Sequence, residues 1–311
     1  MSRQVLAAGS YAMGLTPFTA GGEVDESALR EHVQWLAQEN VGFWPGSPAT
    51  GEGALMTDAE LLRVLEIVVD ATNGRLPVVA GSREFPTAAE NIRFAREAAA
   101  RGVDAVQVYP PTLGHSLAPT ESMAERFYDE VLSALEMPVV LSCNFTTGFE
   151  ITATVLERPI LDHDHVVGVF KHHPDQHNVS AFVARFSAHT TVLTMAQRLM
   201  FSHAVGATAE LDNLQNIAPR LCRGLHDDIH EGDIPAANSK YRTITRLWAG
   251  VSAVTARYAV PRVVAYKSVL SLLGLPGGHA RSPYLEPPPD AVRALAQLID
   301  DVGLRELEGL K

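Results

Sequence analysis

The lysine at position 171 is the residue best suited to covalent chemistry. The chain has four lysines among its 25 basic residues, and Lys171 ends the apolar run VVGVFK that starts at residue 166. Alternation along a strand places Val167, Val169 and Lys171 on one face, which we expect to be the interior of the fold. Burial favours a neutral amine, which can attack a carbonyl and form a Schiff base. The alternative is a lysine that extends from the strand end into solvent.

A second candidate is the small-residue segment GSPATGEG, residues 46–53. The hydroxyl of Thr50 and the backbone N–H groups around Ala49 and Gly51 could bind a carboxylate. Glycine-rich segments after strands are most often plain turns. The segment by itself therefore leaves both interpretations open.

Two pairs of histidines suggest a metal site, His163 with His165 and His172 with His173. Imidazole and carboxylate groups at close spacing suit zinc. One strand separates the two pairs, so we expect them at opposite rims of the fold, about 20 Å apart at about 3.3 Å per residue. The sequence therefore predicts no metal.

These candidates must be positioned by a regular fold, and eight short β-branched runs alternate with helical segments along the chain. The runs begin at Ala12, Val41, Pro77, Asp104, Pro138, Val166, Thr191 and Ala207. Strands that are apolar on both faces and separated by helices indicate a parallel sheet covered on both sides. Eight such units predict an α/β fold, the closed (β/α)8 TIM barrel. The alternative, an open doubly wound sheet, is disfavoured because no GxGxxG follows the first strand.

We expect the barrel to occupy residues 1–220 and a helical extension, packed on the barrel, to occupy residues 221–311. The segments after the eighth run, such as RVVAYKSVLSLLGL, have a helical pattern of apolar residues. Catalytic side chains of such barrels lie at the C-terminal ends of the strands. Lys171 and the segment around Thr50 both fall at such ends.

Composition excludes several classes of protein. The chain has 311 residues, 46% of them hydrophobic, and a formal net charge of −11. This is a globular composition, and its negative field disfavours binding to nucleic acid or to an anionic membrane. The sequence contains no apolar run of the length that crosses a bilayer, and its two cysteines are too few for a disulfide framework. We expect a cytoplasmic protein with two buried thiols.

Several segments together resemble the family of dihydrodipicolinate synthase and N-acetylneuraminate lyase. They are LTPFTAGGEVD near the start, PATGEG, GVFK in the sixth run, GATAELDNLQNIAPR, and RSPYLEPP near the end. The resemblance covers nearly the whole chain. It implies a (β/α)8 barrel with a C-terminal helical extension, an imine between Lys171 and a 2-oxo acid, Thr50 as a ligand of the acid's carboxylate, and a homodimer or homotetramer. It implies no separate cofactor, because the imine nitrogen is the electron sink.

The sequence departs from the family's pattern at three positions. Ala49 replaces a hydroxyl-bearing residue of the Thr-Thr-Gly-Glu loop, and Ser142 stands where the family has a tyrosine that relays protons. The arginine with which dihydrodipicolinate synthase binds a second carboxylate corresponds to Thr146. These losses argue against dihydrodipicolinate synthesis. Proton transfer would then come from His173, which we prefer, from Ser142, from water or from the substrate's carboxylate.

In the sugar-acid lyases of this family, the residues that select a second substrate follow the sixth, seventh and eighth strands. The resemblance assigns Asn144 and Thr146 to substrate binding, then His173, Gln197, Leu211 and Asp212. A carboxylate such as that of Asp212 could stabilise a nearby iminium or bind a hydroxyl group. The alternative is an aspartate that orders its own loop by accepting backbone N–H bonds.

Three functions remain open at this point. The first is a Schiff-base lyase, or aldolase, that makes or breaks a C–C bond of pyruvate or another 2-oxo acid. The second keeps the imine but removes water or ammonia from a hydroxylated or aminated 2-oxo acid. The third is a homologue that binds a 2-oxo acid without turning it over, as the loss of the proton relay would allow.

Overall fold

The computed structural model describes residues 6–114, 117–144 and 149–310. Eight parallel strands form its centre, and each of the eight predicted runs overlaps one of them, although β1 begins at Gly9, before the predicted run at Ala12. The strands are β1 Gly9–Met13, β2 Gly42–Trp44, β3 Val79–Ala80, β4 Ala105–Val108, β5 Val139–Asn144, β6 Val166–His172, β7 Thr191–Thr194 and β8 Ala209–Asp212.

The strands form a nearly closed barrel. Their order is β2-β1-β8-β7-β6-β5-β4-β3, and a parallel bridge between Phe43 and Val78 joins the two ends. The predicted (β/α)8 barrel is thereby confirmed, and its strand ends meet at one mouth.

Helices follow the strands and surround the barrel. They are α1 Glu26–Gln38, α2 Asp58–Thr72, α3 Ala88–Ala99, α4 Glu121–Ser133, α5 Ala153–Asp162, α6 Gln176–Phe186, α7 Ala196–His203, α8 Pro219–Glu231, α9 Ile234–Tyr258, α10 Arg262–Leu273, α11 Pro289–Val302 and α12 Leu304–Leu307. The predicted C-terminal helical region is α8 to α12. Residue 220 lies inside α8, close to its N-terminal end. None of the described helices is long and apolar enough to cross a bilayer.

Local signals explain where the helices begin. Asp25 accepts the N–H of Ala28 and caps α1. Thr57 forms a capping box with Glu60 at the start of α2. Such side chains satisfy N–H groups that have no partner within the helix.

Strand β6 contains an irregularity that decides which side chains enter the barrel. Val139 of β5 pairs with Val166, but the next residue, Val140, pairs with Gly168, so β6 has one extra residue at Val167. A β-bulge of this kind interrupts the alternation of side chains. Val167 faces the barrel interior, and beyond the bulge Phe170 also faces it, whereas Val169 packs outward against the helices.

Candidate active site

A cavity of about 720 Å³ opens at the C-terminal ends of the strands. Its walls come from the loops after most strands and from α9 and α10 of the C-terminal region. Its size and mixed lining are typical of small-molecule sites. The predicted site residues that line it are Ala49, Thr50, Asn144, Gln197 and Leu211.

The loop after β2 presents Ala49 and Thr50 to this cavity. The hydroxyl of Thr50 donates to Asn213 Oδ1 at 2.7 Å. In the described part of the chain, no acceptor takes the backbone N–H groups of Ala49 and Thr50. A hydroxyl and two amides of this kind suit a carboxylate, as the sequence predicts.

Gly51, in contrast, has a structural role and does not line the cavity. It is buried, its N–H donates to Ser47 Oγ at 3.0 Å and its carbonyl accepts from Thr16 at 2.9 Å. A Cβ at Gly51 would lie 2.7 Å from the backbone nitrogen of Ser47, which is too close. Its assignment to substrate binding is therefore wrong.

A buried ion pair holds this loop to α10. Lys267 contacts Glu52 and also donates to the carbonyl of His279 at 2.7 Å, and the backbone N–H of Arg281 donates to Glu52 Oε2 at 2.7 Å. Burial raises the pKa of Glu52 and lowers that of Lys267, while the pairing opposes both shifts. Sequence reasoning missed this pair, although Lys267 is one of only four lysines in the chain.

Lys171 does not face the cavity, and its predicted orientation is wrong. The bulge in β6 reverses the alternation, so the side chain points outward between the sheet and α6. Its amine donates to Glu150 Oε1 at 2.6 Å, lies 3.5 Å from Cys143 Sγ and 5.1 Å from the centre of the Phe182 ring. The side chain is 2% exposed.

Phe170 occupies the interior position at the end of β6. Its ring lines the cavity, and it pairs in register with Ser142 of β5. Among the described residues, none that lines the cavity is a lysine. The structure therefore provides no amine there for an imine.

The thiol of Cys143, next to Lys171, is buried and lies outside the cavity. Burial raises its pKa to about 11, although the nearby amine acts in the opposite direction. A thiol in this state is a poor nucleophile. The structure thus supports the inert core thiol expected from the sequence.

The structure places His172 in the cavity wall, where the sequence analysis expected His173. His173 lies outside the cavity, with Nε2 3.6 Å from Glu150 Oε2 and Nδ1 accepting the N–H of Asp175 at 3.0 Å. His172 lines the cavity instead. Burial first, and then the charge of Arg198, lower the pKa of His172 to about 4, so its ring is neutral near pH 7.

Ser142 and Asn144 both face the interior, at different depths. Ser142 is fully buried beside Phe170, one interior layer below the cavity, and its hydroxyl has no hydrogen-bond partner among the described residues. Asn144, two residues later, reaches the cavity. The structure thus separates Ser142 from the predicted catalytic position. Thr146 lies outside the described residues.

Asp212 orders its own loop. It is 1% exposed, and its carboxylate accepts the backbone N–H groups of Ala196, Asn213 and Leu214. Burial raises its pKa to about 6 despite these bonds. Of the two interpretations of this residue, the structural one is correct, because Asp212 does not line the cavity.

Sequence reasoning missed a polar group after β3 and β4. Gln107 Oε1 accepts both Trp44 Nε1 at 3.0 Å and the Tyr109 hydroxyl at 2.6 Å. Glu84 also lines the cavity, in a left-handed backbone conformation (φ 57°), and burial raises its pKa. A carboxyl group with a raised pKa in a cavity is a candidate proton-transfer group. A search of every strand end, rather than of the unusual residues, would have found Glu84.

The opposite wall carries positive charge. Arg198 of α7 donates to Gln176 Oε1 at 3.1 Å and to the carbonyl of Pro174 at 2.7 Å, both neutral acceptors. Arg262, at the start of α10, also lines the cavity. The aromatic side chains Tyr241 and Trp248 of α9 cover the mouth between these elements.

The chain is similar to proteins of a known enzyme family. The family model of the dihydrodipicolinate synthetase family matches residues 6–301. A 4-hydroxy-tetrahydrodipicolinate synthase of Pelobacter propionicus is 28% identical over 299 residues, which cover 95% of this chain and 99% of that protein. An uncharacterized DapA-like lyase of Rhizobium meliloti is 26% identical over 279 residues, covering 89% of this chain and 90% of that protein.

The fold has counterparts among solved structures. The crystal structure of YagE, from E. coli K12 and in complex with pyruvate, matches with a TM-score of 0.86. The match covers 96% of this chain and 100% of that chain, at 20% sequence identity. At this identity the likeness shows the barrel and its helical extension alone.

Proposed function

We propose that this chain, which belongs to the dihydrodipicolinate synthetase family, acts as a lyase on a 2-oxo acid bound in the barrel-mouth cavity. Its relatives in this family are lyases and synthases by name. The cavity lies where barrel enzymes carry their active sites. The reaction makes or breaks a bond next to the 2-oxo group.

The observation that carries the proposal is the loop of Ala49 and Thr50 in the cavity wall. Its two backbone N–H groups are donors for one carboxylate, and the Thr50 hydroxyl, which donates to Asn213 in this structure, becomes a third donor by turning to the ligand. The buried pair of Glu52 and Lys267 stabilises the loop from behind. A small acid would therefore bind with its carboxylate at this loop and its remaining atoms toward Phe170.

The proposed chemistry differs from the imine route because it does not use the amine of Lys171 and because Glu84 transfers the proton. The amine of Lys171 is ion-paired with Glu150 on the outer side of the sheet, and the aromatic ring of Phe170 lies where an interior amine would be. Glu84 is the group best suited to give or take a proton, because it lines the cavity and burial raises the pKa of its carboxyl. It follows β3, the strand next to β2, and so lies beside the carboxylate-binding loop.

Two measurements test this function. Calorimetric titration with pyruvate and longer 2-oxo acids should give saturable binding that Thr50→Val weakens at least about 10-fold, the loss of one charge-assisted hydrogen bond. Borohydride reduction in the presence of pyruvate should leave the Lys171 peptide at its original mass. An adduct on Lys171 would restore the imine route, and the absence of any 2-oxo acid binding would refute the proposal.

Product analysis then identifies the reaction. Release of pyruvate from a larger acid means C–C cleavage, whereas loss of water or ammonia with the carbon skeleton retained means elimination. Glu84→Gln should lower kcat by about 100-fold or more in either case, because the amide of glutamine cannot give or take a proton as the carboxyl group does. Binding without any product would leave the chain as a 2-oxo acid binder.

We also propose a homodimer or homotetramer. The proposal rests on the resemblance of the chain to its family. Light scattering over a range of protein concentrations measures the mass in solution, and a monomer at every concentration would contradict it.

A further inference from the structure

We propose that the acid bound in this cavity carries a second anionic group, which Arg198 and Arg262 bind. This inference rests on the proposed function and names its substrate class, a 2-oxo acid with a second carboxylate at the far end. The first carboxylate lies at the loop of Thr50.

The two binding groups lie on different sides of the barrel mouth. Thr50 follows β2, and Arg198 lies in α7, which follows β7. In the order of the sheet, β1 and β8 lie between these two strands, so β2 and β7 are three positions apart in a ring of eight. Arg262 comes from α10, outside the barrel proper, and lines the same cavity. A ligand that reaches both ends must therefore be extended.

The arginines keep their positive charge available for a ligand. The guanidinium of Arg198 is held by two neutral oxygens, those of Gln176 and Pro174. Arg262 has no ion pair or hydrogen bond to its side chain within the described ranges. The charge of Arg262 does lower the pKa of the buried Asp212, but that carboxylate is already bonded to three backbone N–H groups. A carboxylate from solution would supply the partner that arginine prefers.

The other charged groups of the cavity do not cancel this charge. His172, beside the arginines, is neutral because burial lowers its pKa to about 4. Glu84 belongs to the opposite side, after β3. The cavity therefore has a positively charged wall in a chain whose net charge is −11.

The cavity between the two ends has apolar walls in part and is larger than a three-carbon acid needs. Trp44, Phe170 and Leu211 line it from the barrel, and Trp248 covers it from α9, in a cavity of about 720 Å³. Apolar walls with polar groups at the ends suit a ligand with a carbon chain between two acidic groups.

Matched pairs of acids test the inference. Calorimetry would compare 2-oxopentanoate with 2-oxoglutarate, and 2-oxohexanoate with 2-oxoadipate, because each pair has the same number of carbons and differs by one carboxylate. We expect the diacid of at least one pair to bind about 10-fold more tightly or better. Arg262→Gln and Arg198→Gln should each reduce this ratio, and together they should bring it close to one.

Two further variants make the result specific. Thr50→Val should weaken both members of a pair while it preserves their ratio. Arg257→Gln removes an exposed positive charge of α9 that lies outside the cavity, and it should also preserve the ratio. Equal affinity for both members of every pair would overturn this inference but not the proposed function. The same follows if Arg257→Gln reduces the ratio as much as Arg262→Gln or Arg198→Gln does. Failure of every acid to bind would instead contradict the proposed function.

Discussion

At the scale of single residues, the neighbours Phe170 and Lys171 decide what chemistry the barrel offers. One of them must face the interior and the other the helices, because the end of β6 alternates regularly. The extra residue at Val167 selects Phe170 for the interior. The amine of Lys171, whose side chain is 2% exposed, then forms an ion pair with Glu150.

This arrangement predicts a gain of function. Phe170→Lys should place an amine in the cavity and allow borohydride to trap pyruvate on residue 170, because residue 170 lines the same cavity as Thr50. Peptide mass mapping measures the adduct, and circular dichroism verifies the fold. The matched control is the same change in a Lys171→Met background, which should trap pyruvate equally well. Trapping that disappears in this background would mean that Lys171 reaches the ligand after all.

The pair of Lys267 and Glu52 gives a second prediction at this scale. Its side chains are 3% and 0% exposed, so Lys267→Met would leave a buried, unpaired carboxyl group. We expect a loss of about 3–5 kcal/mol in the free energy of unfolding, measured by urea titration. Weaker binding of 2-oxo acids should accompany it, because Glu52 belongs to the loop of Thr50. The double variant Lys267→Met with Glu52→Gln should recover part of the stability, and no recovery would contradict this origin.

At the scale of elements, local signals account for most helix starts, but α8 depends on a distant residue. It follows Ala218, whose side chain cannot cap it. Glu308, near the C-terminus, accepts the N–H groups of Arg220 and Leu221 at 2.9 and 3.0 Å. These N–H groups belong to the first turn, where a helix has no partners of its own. A cap from 87 or more residues away cannot be inferred from local sequence.

Glu308 predicts a pH dependence of stability. Burial raises its pKa from 4.5 to about 7, although the two amide bonds act in the opposite direction. A pKa that is higher in the folded state stabilises the fold below pH 4.5, and this contribution is lost as the pH rises through about 7. Unfolding by urea at a series of pH values should therefore show a decline in wild type that Glu308→Gln lacks. Identical profiles for the two proteins would contradict the assignment.

At the scale of the whole molecule, the barrel and the C-terminal helices share one cavity. The barrel contributes Trp44, and α9 contributes Trp248. The third tryptophan, Trp35, lies on α1 next to His32, away from the cavity. The cavity is therefore built by both parts of the chain.

The distribution of tryptophans gives a prediction at this scale. A 2-oxo acid should change the intrinsic fluorescence, because two of the three tryptophans line its cavity. Trp248→Phe should remove a large part of the change, since α9 would no longer report the ligand. Trp35→Phe is the matched control and should keep the response. A response lost in Trp35→Phe alone would place the ligand elsewhere.

The amino-acid sequence by itself determined the order of the helices and strands and the family of the chain. Most strands lie in short runs rich in apolar residues, and caps such as Asp25 mark the helices, so these features depend on neighbours along the chain. The position of Thr50 in the cavity wall was also predictable, because Thr50 lies in a recognisable segment after β2. Such local signals are the same whatever the rest of the chain does.

Only the tertiary structure decided which of these residues meet. Whether Lys171 or Phe170 faces the cavity depends on the pairing of β6 with β5, where one extra residue reverses the alternation. The cationic wall likewise needs α7 and α10 to converge, although Arg198 and Arg262 are far apart in the chain. Register and convergence are properties of long-range contacts, and no local pattern of residue types contains them.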